Sequence, residues 1–174
     1  TESIPFSISQ LPSVLQLFSF PQNSPHANAM RRTLEQCEAK PTKGETKTCA
    51  TSLESMLQFV AAIIATPQPQ VLILYKSSPF WKYQKISMLL IKWVACLPQP
   101  YPYAVYYCHF IETAIKVFKV SLGAENGDNK IETLGVCHLD TSDWNPNHII
   151  FTRLGIKPGK APVCHFFPVK HLMW

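Results

Sequence analysis

No apolar run in this 174-residue chain approaches the roughly 20 residues that cross a bilayer; the stretches at 59–65 and 88–91 are far too short, so no membrane span is expected. No Cys-x-x-Cys pair occurs, which removes most zinc-ribbon and thioredoxin readings. A dense Lys/Arg stripe is also missing. The net charge is only +5, and Lys40, Lys43 and Lys47 alternate with Glu38 and Glu45, as on a solvated loop. Nucleic acid is therefore not an expected partner. The chain opens TESIPF, without a basic-then-apolar leader, so any secretory leader is expected to have been removed already.

What is present is enough to fold. A hydrophobic fraction of 47% can build a core, and the length fits a single domain spanning 1–174. Six cysteines, at 37, 49, 96, 108, 137 and 164, form an even set. In a secreted domain such a set reads as disulfides. Cys37 and Cys49 flank a polar Lys/Gly/Thr loop and are expected to bridge locally, worth about 3 kcal/mol in the chain-entropy model. The other four allow three pairings, which stay open.

The first part, 1–65, reads as helical. Ser24-Pro25 is a helix start, Ser as N-cap and Pro at the first helical position. Met30, Leu34 and Cys37 then share a face. Thr51-Ser52-Leu53-Glu54 reads as a capping box ahead of Met56, Leu57 and Val60. PTKGETK between them is a loop by composition. From Tyr101 onward the pattern is β-branched and aromatic, with strands expected at 105–107, 115–122, 132–139, 149–154 and 163–169. Turns are expected at 123–129, 140–147 and 157–159. Helices followed by a mainly antiparallel sheet make the class α+β. The tract 66–99 fits neither period, has three prolines in its first half, and lies in a stretch without acidic residues from Glu54 to Glu112. It is expected to be less ordered than the part from 100 to 174.

The chemistry is concentrated in a repeated dipeptide. Cys108-His109, Cys137-His138 and Cys164-His165 are separated by 27 and 25 residues, and Cys96, twelve positions before Cys108, is followed by Leu97 instead of His. Thiolate and imidazole both ligate metals, but neighbours on a strand face opposite ways. That geometry suits cysteines paired as disulfides on one face and histidines gathered on the other. His26 reads as an exposed helix-start residue. Asp140, Ser142 and Asp143 could be drawn as hydrolytic groups, but DTSDWNP is better read as a turn, anchored by Trp144.

The spacing resembles that of the plant BURP domain, whose signature is four Cys-His dipeptides at these separations. YPYAVYYCH, GVCHLDTSDWNPNH, KPGKAPVCHFFP, the closing HLMW, IPFS and CATSLESM carry the same likeness across 1–65 and 100–174. The resemblance implies a disulfide-linked, secreted protein of apoplast, cell wall or storage vacuole, associated with seed, wall or stress response. It also implies a copper cofactor, with His109, His138 and His165 as ligands and His148 and His171 as further candidates. Leu97 removes one motif ligand, since leucine has no lone pair to donate. Two functions follow from the likeness. The first is a non-enzymatic binding or structural module, with a cell-wall component as partner. The alternative is a copper-dependent oxidative peptide cyclase that crosslinks Tyr or Trp side chains of a peptide substrate. No core peptide is seen in the chain, so a self-substrate would lie upstream of Thr1.

Overall fold

The N-terminal region begins with a 3-10 turn, Ile8–Gln10, and the short helix α1, Leu11–Leu17. In the computed structural model the described residues are 4–64, 72–73, 81–88, 92–112, 115–124, 130–167 and 170–174. Helix α2, Pro25–Glu38, starts where Ser24 accepts the Ala27 N–H at 3.1 Å with Pro25 inside the first turn. It buries Ala27, Met30, Thr33 and Leu34, and Leu34 packs with Leu11 and Val14. Tyr101 fastens this layer to the rest: its hydroxyl donates to the Pro5 carbonyl at 2.6 Å, and its ring meets Phe6 edge-on.

The region 1–65 is not wholly helical. Residues expected to form a loop and its exit instead form strand β1, Glu45–Ala50, along the edge of a sheet. The loop residues PTKG supply its entry turn, where Gly44 takes φ 77°. Helix α3, Leu53–Ile64, follows, but its cap is one residue later than the Thr51/Glu54 box. Ser52 Oγ accepts the Ser55 N–H at 3.1 Å, and the Ser52 N–H donates to Ser55 Oγ at 3.3 Å. Serine at the third position thus performs the reciprocal role expected of Glu54, which instead accepts from Gln58.

Two antiparallel sheets follow. The strands are β2 Leu72–Ile73, β3 Trp81–Met88, β4 Ala95–Gln99, β5 Val105–Ile111, β6 Ile115–Ala124, β7 Lys130–His138, β8 Val163–Phe166 and β9 Leu172–Met173. One sheet runs β1-β5-β4-β9-β2 and the other β3-β6-β7-β8. They pack together through Trp93, Ala95 and Met173 on one side and Val117, Leu134 and Val136 on the other. Helix α3 covers the far face of the first sheet with Met56 and Val60 against Val94, Cys96 and Cys108. The α+β class is as the residue pattern indicates.

One strand expectation is corrected. Residues 149–154 form helix α4, Ile149–Leu154, not a strand. Although Ile-Ile-Phe-Thr favours strand locally, only Phe151 is buried, His148 caps the start, and Gly155 ends the helix at φ 65°. Within the tract 66–99, β3 pairs with β6 from Trp81/Ala124 to Met88/Phe118, and β4 lies between β5 and β9. Residues 66–71, 74–80 and 89–91 of it, the turn at 125–129 and the end of the expected strand at 168–169 lie outside the described residues.

Candidate metal cleft

Antiparallel pairing decides which side chains share a face, because directly opposed residues point the same way. In the first sheet Lys47, His109 and Ala95 stand opposite one another, as do Cys49, Tyr107 and Leu97. In the second, Ile115, His138 and Val163 align, and Val136 faces His165. The alternate rows carry Cys96 opposite Cys108 and Cys137 opposite Cys164. Each of these pairs is a disulfide, and Cys37–Cys49 is the third. The cysteines of the dipeptides therefore bond on the faces away from the space between the sheets, and their histidines turn into it.

That space is a cleft of about 550 Å³. His109 reaches it from β5, His138 from β7 and His165 from β8, while His148 enters from the N-cap of α4 and His171 from the residue before β9. All five histidines proposed from the dipeptide pattern and its surroundings thus line one cleft. Leu97 lines it too, so the missing motif histidine would have faced the same space. His26 does not; it stacks on Phe20 at 5.2 Å in the N-terminal layer.

The tautomers can be read from their partners. His165 Nδ1 lies 2.9 Å from the Phe166 carbonyl oxygen, which can only accept, so Nδ1 carries the proton and Nε2 the free lone pair. That Nε2 accepts from the His138 Nε2–H at 3.3 Å, with the rings stacked at 19°, so the His138 lone pair is on Nδ1. His138 is held neutral: burial and the neighbouring His165 and His109 push its pKa down to about 4. His171 is shifted in the same direction by burial and by His165, and its buried Nδ1 has no hydrogen-bond partner among the described residues. His148 has another occupation. Its Nδ1 accepts the Ile150 N–H at 3.3 Å, which puts the ring proton on Nε2 and leaves that nitrogen without a lone pair for a metal.

His109 is the most tightly held. Its Nδ1 donates to Glu45 Oε1 at 3.2 Å, and Tyr107 Oη donates to the same oxygen at 2.5 Å. The other oxygen, Oε2, accepts from the Thr42 N–H and the Thr42 hydroxyl, both at 2.9 Å. Burial alone would raise the Glu45 pKa, but the bonds from His109, Tyr107 and Thr42 prevail and hold it well below the usual carboxylate range. Burial, then the bond to Glu45, pushes the Tyr107 phenol up. Trp93 meets His109 edge-on at 6.2 Å, and Trp144 meets His138 edge-on at 4.8 Å while lying 5.5 Å from His148.

Glu45, Tyr107 and Trp93 did not stand out as site residues in the sequence. Glu45 sits in a stretch that reads as loop, Tyr107 reads as sheet core, and Trp93 lies in a tract without period. The strand register that joins them spans more than 60 residues of sequence, as the Glu45–His109 pair does. The hydrolytic reading of Asp140, Ser142 and Asp143 finds no support: Asp140 Oδ1 accepts the Ser142 N–H at 2.9 Å, closing a local turn.

Among the described residues, no three His, Cys, Asp or Glu side chains stand close enough to enclose a metal ion without moving. The donor chemistry nevertheless fits copper. Imidazole suits copper, and the Nε2 atoms of His138 and His165 stand 3.3 Å apart.

A family model described as BURP domain matches residues 1–174. The chain is 40% identical over 185 residues to BURP domain-containing protein BNM2C of Brassica napus, covering 98% of this chain and 66% of that protein. It is 40% identical over 182 residues to BURP domain protein RD22 of Arabidopsis thaliana, covering 99% and 46%. BURP domain protein USPL1 of Arabidopsis thaliana matches at 36% over 185 residues, covering 98% and 66%. The chain therefore spans less than two thirds of the length of each of these relatives.

Proposed function

The chain belongs to the BURP family of plant proteins, and on that premise we propose that it is a secretory protein of seed, cell wall or stress response that acts by binding, with copper held among its cleft histidines. The observation that carries the metal reading is the convergence of imidazoles from both sheets on one cleft. His165 would hold the ion first through Nε2, and His138, which stands beside it, would join once its ring proton moves from Nε2 to Nδ1. His109 or His171 would complete the set after a side-chain movement. The three disulfides suit an oxidising compartment, and apoplast, wall or storage vacuole are the locations this reading names.

A second reading, a copper-dependent peptide cyclase, is favoured by the size and lining of the cleft. About 550 Å³ falls within the ~300–1,000 Å³ usual for ligand sites, and Trp93, Tyr107 and Trp144 give the cleft aromatic walls on which a Tyr or Trp side chain could stack. Bound copper would supply one-electron oxidation with dioxygen as terminal oxidant. The protein's own part would be to seat the peptide beside the His138–His165 pair and limit water there. Leu97 favours the binding reading, because it leaves the set one imidazole short.

The two readings separate in one experiment. Purified protein is loaded with Cu(II) and incubated in air with a peptide containing Tyr and Trp, and the peptide is followed by mass spectrometry. Unchanged peptide with stoichiometric copper supports the binding role. Loss of two hydrogens per peptide, abolished by His138→Ala, would establish the cyclase.

A further inference from the structure

We propose that Glu45 is a positioning residue that fixes His109 as the Nδ1–H tautomer and so presents the Nε2 lone pair as its donor atom in the cleft. The inference deepens the metal reading given above and rests on it for its purpose, though not for its geometry. The carboxylate is clamped from both ends. Oε1 takes Tyr107 Oη and His109 Nδ1, and Oε2 takes both donors of Thr42, whose carbonyl in turn accepts the Glu45 N–H at 3.0 Å. Its side chain is 7% exposed, against 18% for His109. An ionised carboxylate offers no proton, so the His109 nitrogen facing it must be the one that carries hydrogen.

This is the relation that metal-binding histidines commonly have with an outer partner: one ring nitrogen donates to a carboxylate or carbonyl, and the other is freed for the ion. The chain shows it twice, at His109 with Glu45 and at His165 with the Phe166 carbonyl. His148, with Nδ1 accepting, shows the opposite arrangement. The distinction separates His109 and His165 from His148, three cleft histidines that composition alone treats alike. Tyr107 keeps the carboxylate from turning, and Lys47, 5.4 Å over the Tyr107 ring, braces that tyrosine in turn.

The test reads the tautomer directly in metal-free protein. Long-range proton–nitrogen NMR of the histidine rings at pH 8 should show His109 as Nδ1–H in the wild type. Glu45→Ala should return it to the Nε2–H form that a free imidazole prefers, while Glu45→Gln, which keeps a carbonyl acceptor, should retain Nδ1–H. Thr42→Ala loosens the same turn without touching His109 and should leave the tautomer unchanged, which controls for a merely structural effect. Copper affinity, measured by chelator competition on the same proteins, should fall about 10- to 100-fold in Glu45→Ala and stay near wild type in Glu45→Gln. An Nε2–H tautomer in the wild type, or one insensitive to Glu45→Ala, would overturn the inference. Absence of copper binding in a wild type that shows the tautomer switch would instead overturn the metal reading and leave Glu45's hold on His109 established.

Discussion

His138 and Leu97 are two residues whose neighbours in sequence say little and whose position in the cleft says much. The His138 ring titrates at about 4 in the folded chain, lowered by burial and by His165 and His109, against about 6.5 when unfolded. Between those values the unfolded chain holds a proton that the folded chain does not, so stability rises with pH across the window and falls as pH drops from about 6.5 toward 4. Urea unfolding of metal-free protein should show this slope, and His138→Asn should flatten it; NMR titration should leave the ring neutral at pH 5. Leu97 is half-buried against the intersheet core and opens on the cleft. Leu97→His should tighten copper binding in a chelator competition while lowering stability by on the order of 1 kcal/mol for the lost apolar contact. The opposed faces of cysteine and histidine were legible from the dipeptides, because strand alternation is a local rule. Glu45 was not, because its role depends on a partner strand far along the chain.

Among the elements, β8 is only Val163–Phe166, and it carries a principal ligand candidate, His165. The Cys137–Cys164 bond crosslinks β7 and β8 at directly opposed positions, across a sequence separation of 27. Removing it as Cys137→Ser with Cys164→Ser should cost about 3.5 kcal/mol in the chain-entropy model and weaken copper binding, since β8 would lose its register tie. Thermal unfolding and chelator competition on the double variant measure both. At α3, Ser52→Ala should cost about 1 kcal/mol, whereas Thr51→Ala should have little effect, as read by urea midpoints. The helix itself was legible from its apolar period, and its cap was misplaced by one residue because Thr-x-x-Glu and Ser-x-x-Ser overlap there. Helix α4 was hidden by β-branched residues: local propensity favoured a strand, and a histidine cap, a glycine stop and one buried Phe151 prevailed. The edge strand β1 was hidden by the polar side chains that edge strands commonly carry.

At the scale of the whole molecule, the two sheets make the cleft, and neither makes it alone. His109 and Leu97 belong to one sheet and His138 and His165 to the other, brought together by the Trp93, Val117 and Val136 core. The tract 66–99, which has no period of its own, enters this arrangement through β3 and the central strand β4; its apolar residues 93–96 are buried because both faces of that strand are covered. Periodicity fails where neighbouring residues are buried on both sides, which is why 93–96 showed no strand alternation. The central claim is that imidazoles from both sheets bind one copper ion. Electron paramagnetic resonance of protein titrated with Cu(II) tests it most directly. The account predicts a single stoichiometric signal with nitrogen ligation, lost in His138→Ala, weakened in His109→Ala and unchanged in His26→Ala. A signal absent at stoichiometric copper, or one indifferent to His138→Ala and His109→Ala, would contradict it.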